Sequence, residues 1–184
     1  MKTHSVVLFF GLWITLIGMP MTAHGQGKST LERTGDIVQL AIPATAFGTT
    51  LLLHDKEGSW QFSKAFFMNL GITYALKYII NKPRQENNGY HSFPSGHTSA
   101  AFQGASFILR RWGWKYGLPA VAAATYVGWS RVEGEADKHD FVDVAAGAAL
   151  GTLCSLLFTT SYPGLTITSM SAEGAHGVAL RLQW

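Results

Sequence analysis

The 184-residue chain has a single cysteine and few charged residues. Cys154 alone cannot form an internal disulfide or a cysteine-based metal site, and its apolar surroundings are typical of a buried small residue. Aspartate, glutamate, lysine and arginine make up 14% of the chain, against about 25% in soluble domains. This low charge favours a protein with much apolar surface or a membrane environment.

The sequence also lacks internal repeats, low-complexity tracts and a basic stripe. The formal net charge is +3 and the basic residues are scattered, which argues against a nucleic-acid partner. The length suffices for one domain with a hydrophobic core.

The N-terminus has the pattern of an export signal. Lys2 precedes an apolar run that begins at Ser5, and Ala23-x-Gly25 offers small residues for cleavage. We therefore predict a signal peptide over residues 1–25. An uncleaved first transmembrane helix is the alternative, because the run is only slightly short for a membrane span. Either one delivers the next segment across the membrane.

Five apolar segments of helical length follow the polar residues 26–35, which are expected to form an arm or a surface helix. The segments cover residues 36–53, 60–80, 98–112, roughly 118–129, and 141–160. They predict an all-α fold, a bundle of about five core helices within a domain over residues 26–162. The fifth segment is rich in alanine and glycine, which permits close helix packing. Alternation and β-branched residues predict a small C-terminal β-hairpin over residues 163–184.

The charge layout bears on whether these helices lie in a membrane. Their apolar runs of about 12 to 20 residues are short for a span. Arg110, Arg111 and Lys115, however, cluster in one turn, as in cytoplasmic loops. We expect a bundle embedded in a bacterial inner membrane, with the loops at 81–97 and 130–140 on the periplasmic side. A soluble periplasmic protein is the alternative.

Three clusters of polar residues fall at helix ends on that same side. They are Lys77 with Arg84, then Ser95, Gly96 and His97, and finally Arg131, His139 and Asp143. Taken singly, each could be an interfacial charge, a helix cap or a surface residue. Together they supply what a phosphate ester requires, namely cations, free backbone N–H groups at a helix start, and two histidines.

The two histidines suggest complementary roles. His139 and Asp143 are spaced i, i+4 and would share one face of a helix. The carboxylate can hold a proton on one imidazole nitrogen and leave the other free to attack phosphorus. His97 can protonate the departing oxygen. Ser95 can cap the helix, and Gly96 allows the backbone a close approach.

These motifs resemble the type 2 phosphatidic acid phosphatase superfamily, which also includes bacterial class A acid phosphatases and vanadium haloperoxidases. The family pattern is Lys-x6-Arg-Pro, Pro-Ser-Gly-His and Ser-Arg-x5-His-x3-Asp, and the resemblance covers about residues 60–153. It implies a helical bundle that hydrolyses phosphate esters through a phosphohistidine, without metal or cofactor. Its implied catalytic residues are His139, His97 and Asp143, and its implied phosphate-binding residues are Lys77, Arg84, Ser95, Gly96 and Arg131.

The chain departs from that pattern in two places. Gln85 stands where the family has proline, and seven residues rather than five separate Arg131 from His139. The alternative functions are a broad-specificity soluble acid phosphatase, a vanadate-dependent haloperoxidase and a non-enzymatic membrane protein. An apolar, membrane-level site favours a phosphorylated lipid as the substrate.

Overall fold

A computed structural model describes residues 29–84, 89–134, 138–162, 165–172 and 175–182. Within these residues five helices form a bundle, so the predicted helical-bundle fold is confirmed. They are α1 (Thr30–Leu52), α2 (Lys56–Ile80), α3 (Gly96–Trp112), α4 (Trp114–Glu133) and α5 (Phe141–Phe158). The predicted export signal, residues 1–25, lies outside the described residues.

Three helices are longer than their apolar segments indicate. α2 begins at Lys56, four residues before its predicted segment, because Asp55 caps it. α1 begins at Thr30 because Ser29 and Glu32 form a capping box that satisfies backbone N–H groups at the helix start. Most of the polar segment 26–35 is therefore part of α1 and not a separate arm. α4 continues to Glu133, so Arg131 lies in its last turn and not in a loop as predicted.

The chain after the bundle forms two strands, β1 (Leu165–Ala172) and β2 (Ala175–Leu182). They pair antiparallel, with Leu165 opposite Leu182 and Ala172 opposite Ala175. Residues 173 and 174, which connect them, lie outside the described residues.

An aromatic cluster joins α1, α2 and α3 at the centre of the bundle. The ring of Phe62 lies 5.5 Å from that of Phe47 and 5.0 Å, edge-on, from that of Phe107. Phe62 and Phe107 are fully buried. Burial of such rings stabilises the bundle by about 1.5–3 kcal/mol each.

α5 packs against α3 through glycines. A Cβ atom at Gly147 would lie 2.5 Å from the carbonyl oxygen of Ser95, and one at Gly151 would lie 2.8 Å from the backbone nitrogen of Gln103. No side chain fits in either place. The close helix packing expected from the Ala- and Gly-rich fifth segment is thus confirmed.

A buried ion pair lies at the end of the bundle where α3 finishes. Arg111 donates from Nε to Asp55 Oδ2 at 2.8 Å and from Nη2 to Oδ1 at 2.7 Å. Its Nη1 donates to the carbonyl oxygens of Thr160 at 3.0 Å and Ser161 at 3.2 Å. Arg111 was grouped with exposed loop charges from the sequence. The structure corrects this, because its side chain has no exposure at all.

Candidate active site

The start of α3 lies against the start of α5. Ser95 caps α3 as predicted, its Oγ accepting from the N–H of Thr98. Gly96 and His97 are the first two helical residues, whose N–H groups have no acceptor within a helix. The Ser95 N–H donates to the carbonyl oxygen of Asp143 at 2.9 Å. The N-terminal ends of two helices therefore meet, and both favour an anion there.

His139 and Asp143 are in contact, though not on one helix as predicted. α5 begins at Phe141 with Asp140 as its N-cap, so His139 precedes the helix. Asp140 Oδ1 accepts from the Asp143 N–H at 2.9 Å, and the capping turn brings His139 Nδ1 to 3.3 Å from Asp143 Oδ2. Both side chains are almost completely buried.

Two further residues hold Asp143. Ser92 donates from Oγ to Asp143 Oδ2, and the same hydroxyl lies 3.3 Å from His139 Nδ1. Lys82 donates from Nζ to Asp143 Oδ1 at 2.8 Å and also to Asp140 Oδ2. Neither Ser92 nor Lys82 belongs to the family pattern. Their positions in the sequence could have indicated a role, because Lys82 lies within the Lys-x6-Arg motif and Ser92 lies just before the Pro-Ser-Gly-His motif.

Burial alone would lower the pKa of Lys82, but its hydrogen bonds to Asp140 and Asp143 outweigh that effect and raise the pKa above its ordinary value. Lys82 therefore remains an ammonium ion throughout the physiological pH range.

Arg131 is fully buried and held by α1. Its Nη2 donates to the carbonyl oxygen of Glu32 at 2.8 Å, and its Nη1 lies 3.1 Å from Asp36 Oδ1. His97 Nε2 lies 3.4 Å from that same carboxylate oxygen. Asp36 thus connects two predicted site residues. The sequence indication for Asp36 was a single acidic residue in an apolar helical segment. An acidic residue in such a segment rarely lies in the interior without a partner.

Lys77 lies beside the first residue of α3. A Cβ atom at Gly96 would be 3.7 Å from Lys77 Cε. Lys77 Nζ donates to the carbonyl oxygen of His91 at 2.9 Å. Arg84 is positioned by its backbone N–H, which donates to Gly89 O at 2.8 Å, and its side chain is half-buried. Gln85 and residues 135–137, where the chain departs from the family pattern, lie outside the described residues.

Known proteins resemble this chain over most of its length. The family model of the PAP2 superfamily matches residues 3–167. Lipid A 4′-phosphatase of Helicobacter pylori is 25% identical over 196 residues, covering 96% of this chain and 97% of that protein. Lipid A 1-phosphatase of Porphyromonas gingivalis is 33% identical over 138 residues, covering 72% of this chain but 31% of that protein.

A solved structure has the same fold. The crystal structure of Aquifex aeolicus LpxE matches with a TM-score of 0.58 at 18% identity, covering 80% of this chain and 92% of the other. Because the family match extends through all five helices and both motif-bearing loops, the resemblance noted from the motifs is confirmed. The chain belongs to the PAP2 superfamily, the type 2 phosphatidic acid phosphatases and their relatives.

Proposed function

We propose that this protein is a membrane-bound lipid phosphatase that removes phosphate from lipid A through a phosphohistidine intermediate. The observation that carries the proposal is the junction where the start of α3, His139 and Asp143 meet. A phosphate there would face a helix N-terminus while an imidazole of fixed orientation stands beside it.

His139 is the nucleophile in this mechanism. Asp143 and Ser92 face its Nδ1, so the ring proton resides on Nδ1 and Nε2 keeps its lone pair. Nε2 forms a bond to phosphorus as the bond from phosphorus to the ester oxygen breaks. His97 gives its proton to that oxygen. Water then attacks the phosphohistidine and gives a proton back to His97 as the bond from phosphorus to Nε2 breaks. Phosphate leaves, and both histidines are restored.

The phosphate is held by cations and backbone donors. Arg131 contributes a fixed positive charge, because its guanidinium is held by the carbonyl oxygen of Glu32 and the carboxylate of Asp36. Lys77 lies beside Gly96, where the first N–H groups of α3 contribute the partial positive charge of a helix start. The proposed phosphate-binding residues are Lys77, Arg84, Ser95, Gly96 and Arg131.

The substrate proposal rests on the named relatives, which act on two different phosphates of lipid A. The relative that aligns along nearly its whole length is the 4′-phosphatase. We therefore favour the 4′-phosphate over the 1-phosphate. A glycolipid of this kind requires an active site at membrane level.

Membrane embedding is supported by apolar surface. α5 is the one helix among the described residues that is long and apolar enough to cross a membrane. Large apolar side chains are also exposed on α2, including Tyr78 at 69% and Ile79 at 78%. In this proposal residues 1–25 are the export signal or a first span, and residues 26–162 form the catalytic domain. The active site faces the periplasm.

The reaction requires no metal ion. Among the described residues, Asp140 and Asp143 are the two carboxylates at the start of α5, and the Lys82 ammonium contacts both. A fixed cation thus stands where these carboxylates would otherwise hold a divalent ion. We expect activity to persist in EDTA and to be inhibited by vanadate, which mimics the phosphoryl transition state.

The test is phosphate release by the purified full-length protein in detergent. Substrates are lipid A bearing both phosphates, phosphatidic acid, phosphatidylglycerol phosphate, undecaprenyl diphosphate and a soluble aryl phosphate. Mass spectrometry of the lipid A product identifies which phosphate is lost. The expected result is fastest release from lipid A at the 4′ position. A marked preference for the soluble ester would contradict the lipid assignment, and loss of activity in EDTA would contradict the mechanism.

A further inference from the structure

Lys82 joins two parts of the site that the chain keeps far apart. It follows Asn81, the C-cap of α2, and stands between the two motif cations Lys77 and Arg84. Its ammonium contacts Asp140 and Asp143, the N-cap and first turn of α5. The segment that carries predicted phosphate-binding cations is thereby tied directly to the helix start beside His139.

Lys82 and Ser92 act on Asp143 as a pair. The carbonyl oxygen of Lys82 accepts from the Ser92 N–H at 2.9 Å, and both side chains donate to Asp143. Lys82 takes Oδ1, while Ser92 and His139 face Oδ2. Both carboxylate oxygens are thus engaged, as a carboxylate with 1% exposure requires.

We infer that Lys82 is a positioning residue of this phosphatase site, acting through Asp143 and Asp140 to fix the orientation of the His139 imidazole. This inference rests on the proposed function. The ammonium is committed to two carboxylates and is not directed at the phosphate. Its loss therefore affects the chemical step more than the binding of substrate.

The distinguishing measurement is the split between kcat and KM. For Lys82→Met on lipid A in detergent micelles, we expect kcat to fall by about 10- to 100-fold, the range seen when hydrogen-bond partners of metal-ligating side chains are removed. KM and the inhibition constant of vanadate should stay within about twofold of wild type. Lys82→Arg keeps the positive charge and should recover most of the lost kcat.

Two further variants distinguish a positioning role of Lys82 from a purely structural role. Asp140→Asn keeps a good N-cap but removes one of the two carboxylates, so it should lower kcat in the same direction and by less. Lys56→Met removes an exposed lysine at the other end of α2 and should leave both constants unchanged. The thermal unfolding of every variant is measured together with its kcat and KM.

The outcomes separate this inference from the proposed function. A wild-type protein that releases no phosphate from any substrate overturns both. An active wild type with an unchanged kcat in Lys82→Met overturns only the role of Lys82. A rise in KM at constant kcat would make Lys82 a phosphate ligand instead. If Lys82→Met no longer unfolds cooperatively and Asp140→Asn keeps wild-type kcat, Lys82 is structural and the inference is wrong.

Discussion

At the residue scale, His139 is held at two points, the Nδ1 atom of its imidazole and its backbone N–H. Asp143 and Ser92 face Nδ1, and the backbone N–H donates to the carbonyl oxygen of Arg131 at 2.8 Å. The last contact ties His139 to the end of α4, where the Arg131 guanidinium is fixed by α1. This contact therefore links the proposed nucleophile to a proposed phosphate-binding cation.

We expect His139→Ala to abolish phosphate release, because no phosphohistidine can form. Asp143→Asn should retain vanadate binding but lower kcat by about 10²- to 10⁴-fold, because the imidazole loses its orienting carboxylate. His54→Asn is the control, since His54 is exposed in the turn after α1 and asparagine tolerates its positive φ. Steady-state rates on lipid A provide the measurement. Wild-type rates in a folded His139→Ala protein would remove His139 as the nucleophile.

The sequence predicted the pairing of His139 with Asp143 but not its geometry. Spacing alone could not reveal that Asp140 caps α5 and leaves His139 outside the helix. Lys82 and Asp36 were missed for a related reason. Their contacts lie 61 and 95 positions away along the chain, on Asp143 and Arg131, and only the tertiary fold brings such residues together.

At the element scale, contact between α3 and α5 depends on small residues where their backbones meet. Gly147 faces the carbonyl of Ser95, and Ser95 is the N-cap of the helix whose start we propose binds phosphate. The sequence predicted this packing correctly, because runs of glycine and alanine permit it. The bounds of α1 and α4 were harder to predict, since caps and buried contacts extend both helices into polar sequence.

Gly147→Ala should destabilise the protein by about 1–3 kcal/mol through overpacking and should also lower kcat, since α5 must move away from Ser95. Gly71→Ala is the matched control. Gly71 is also within a helix, but a Cβ atom there would meet nothing within 4 Å, so this change should stabilise by roughly 0.5–1 kcal/mol. Thermal unfolding and kcat are measured on both. Equal stability of the two variants would contradict the close contact at Gly147.

A second prediction at this scale concerns the buried pair of Arg111 and Asp55. Arg111→Met should destabilise by about 3–5 kcal/mol, because it leaves the Asp55 carboxylate buried and uncompensated. Arg110→Met, at the exposed neighbouring residue, should change the unfolding temperature little. Replacing both Arg111 and Asp55 with apolar residues should recover part of the loss. A Tm for Arg111→Met equal to that of Arg110→Met would contradict the importance of the pair.

At the scale of the whole molecule, the two motif-bearing loops lie at one end of the bundle and the Arg111 pair lies at the other. The loop before α3 and the segment before α5 meet at Asp143. Arg110 and Arg111 lie in the last turn of α3, and Lys115 lies in the first turn of α4. Because positive residues are favoured on the cytoplasmic side, we propose that the candidate site faces the periplasm.

Cysteine labelling tests that orientation. In a Cys154→Ala background, Tyr90→Cys introduces a thiol at an exposed position in the loop before α3, and Trp114→Cys introduces one at an exposed position after α3. In cells with a permeabilised outer membrane, an impermeant thiol reagent should label residue 90 and not residue 114. The opposite pattern would reverse the topology. Labelling at both positions would indicate a soluble periplasmic protein.

α5 is fastened at both of its ends. Lys82 holds the residues at its start, and Arg111 holds Thr160 and Ser161 just past its end. These attachments are separated by the 18 residues of the helix, or about 27 Å. In mechanical terms, α5 resists sliding along its own axis, because either direction strains an ionic or hydrogen-bonded attachment at one end. Strain applied at the Arg111 end would therefore be transmitted along a single rigid element to the imidazole of His139.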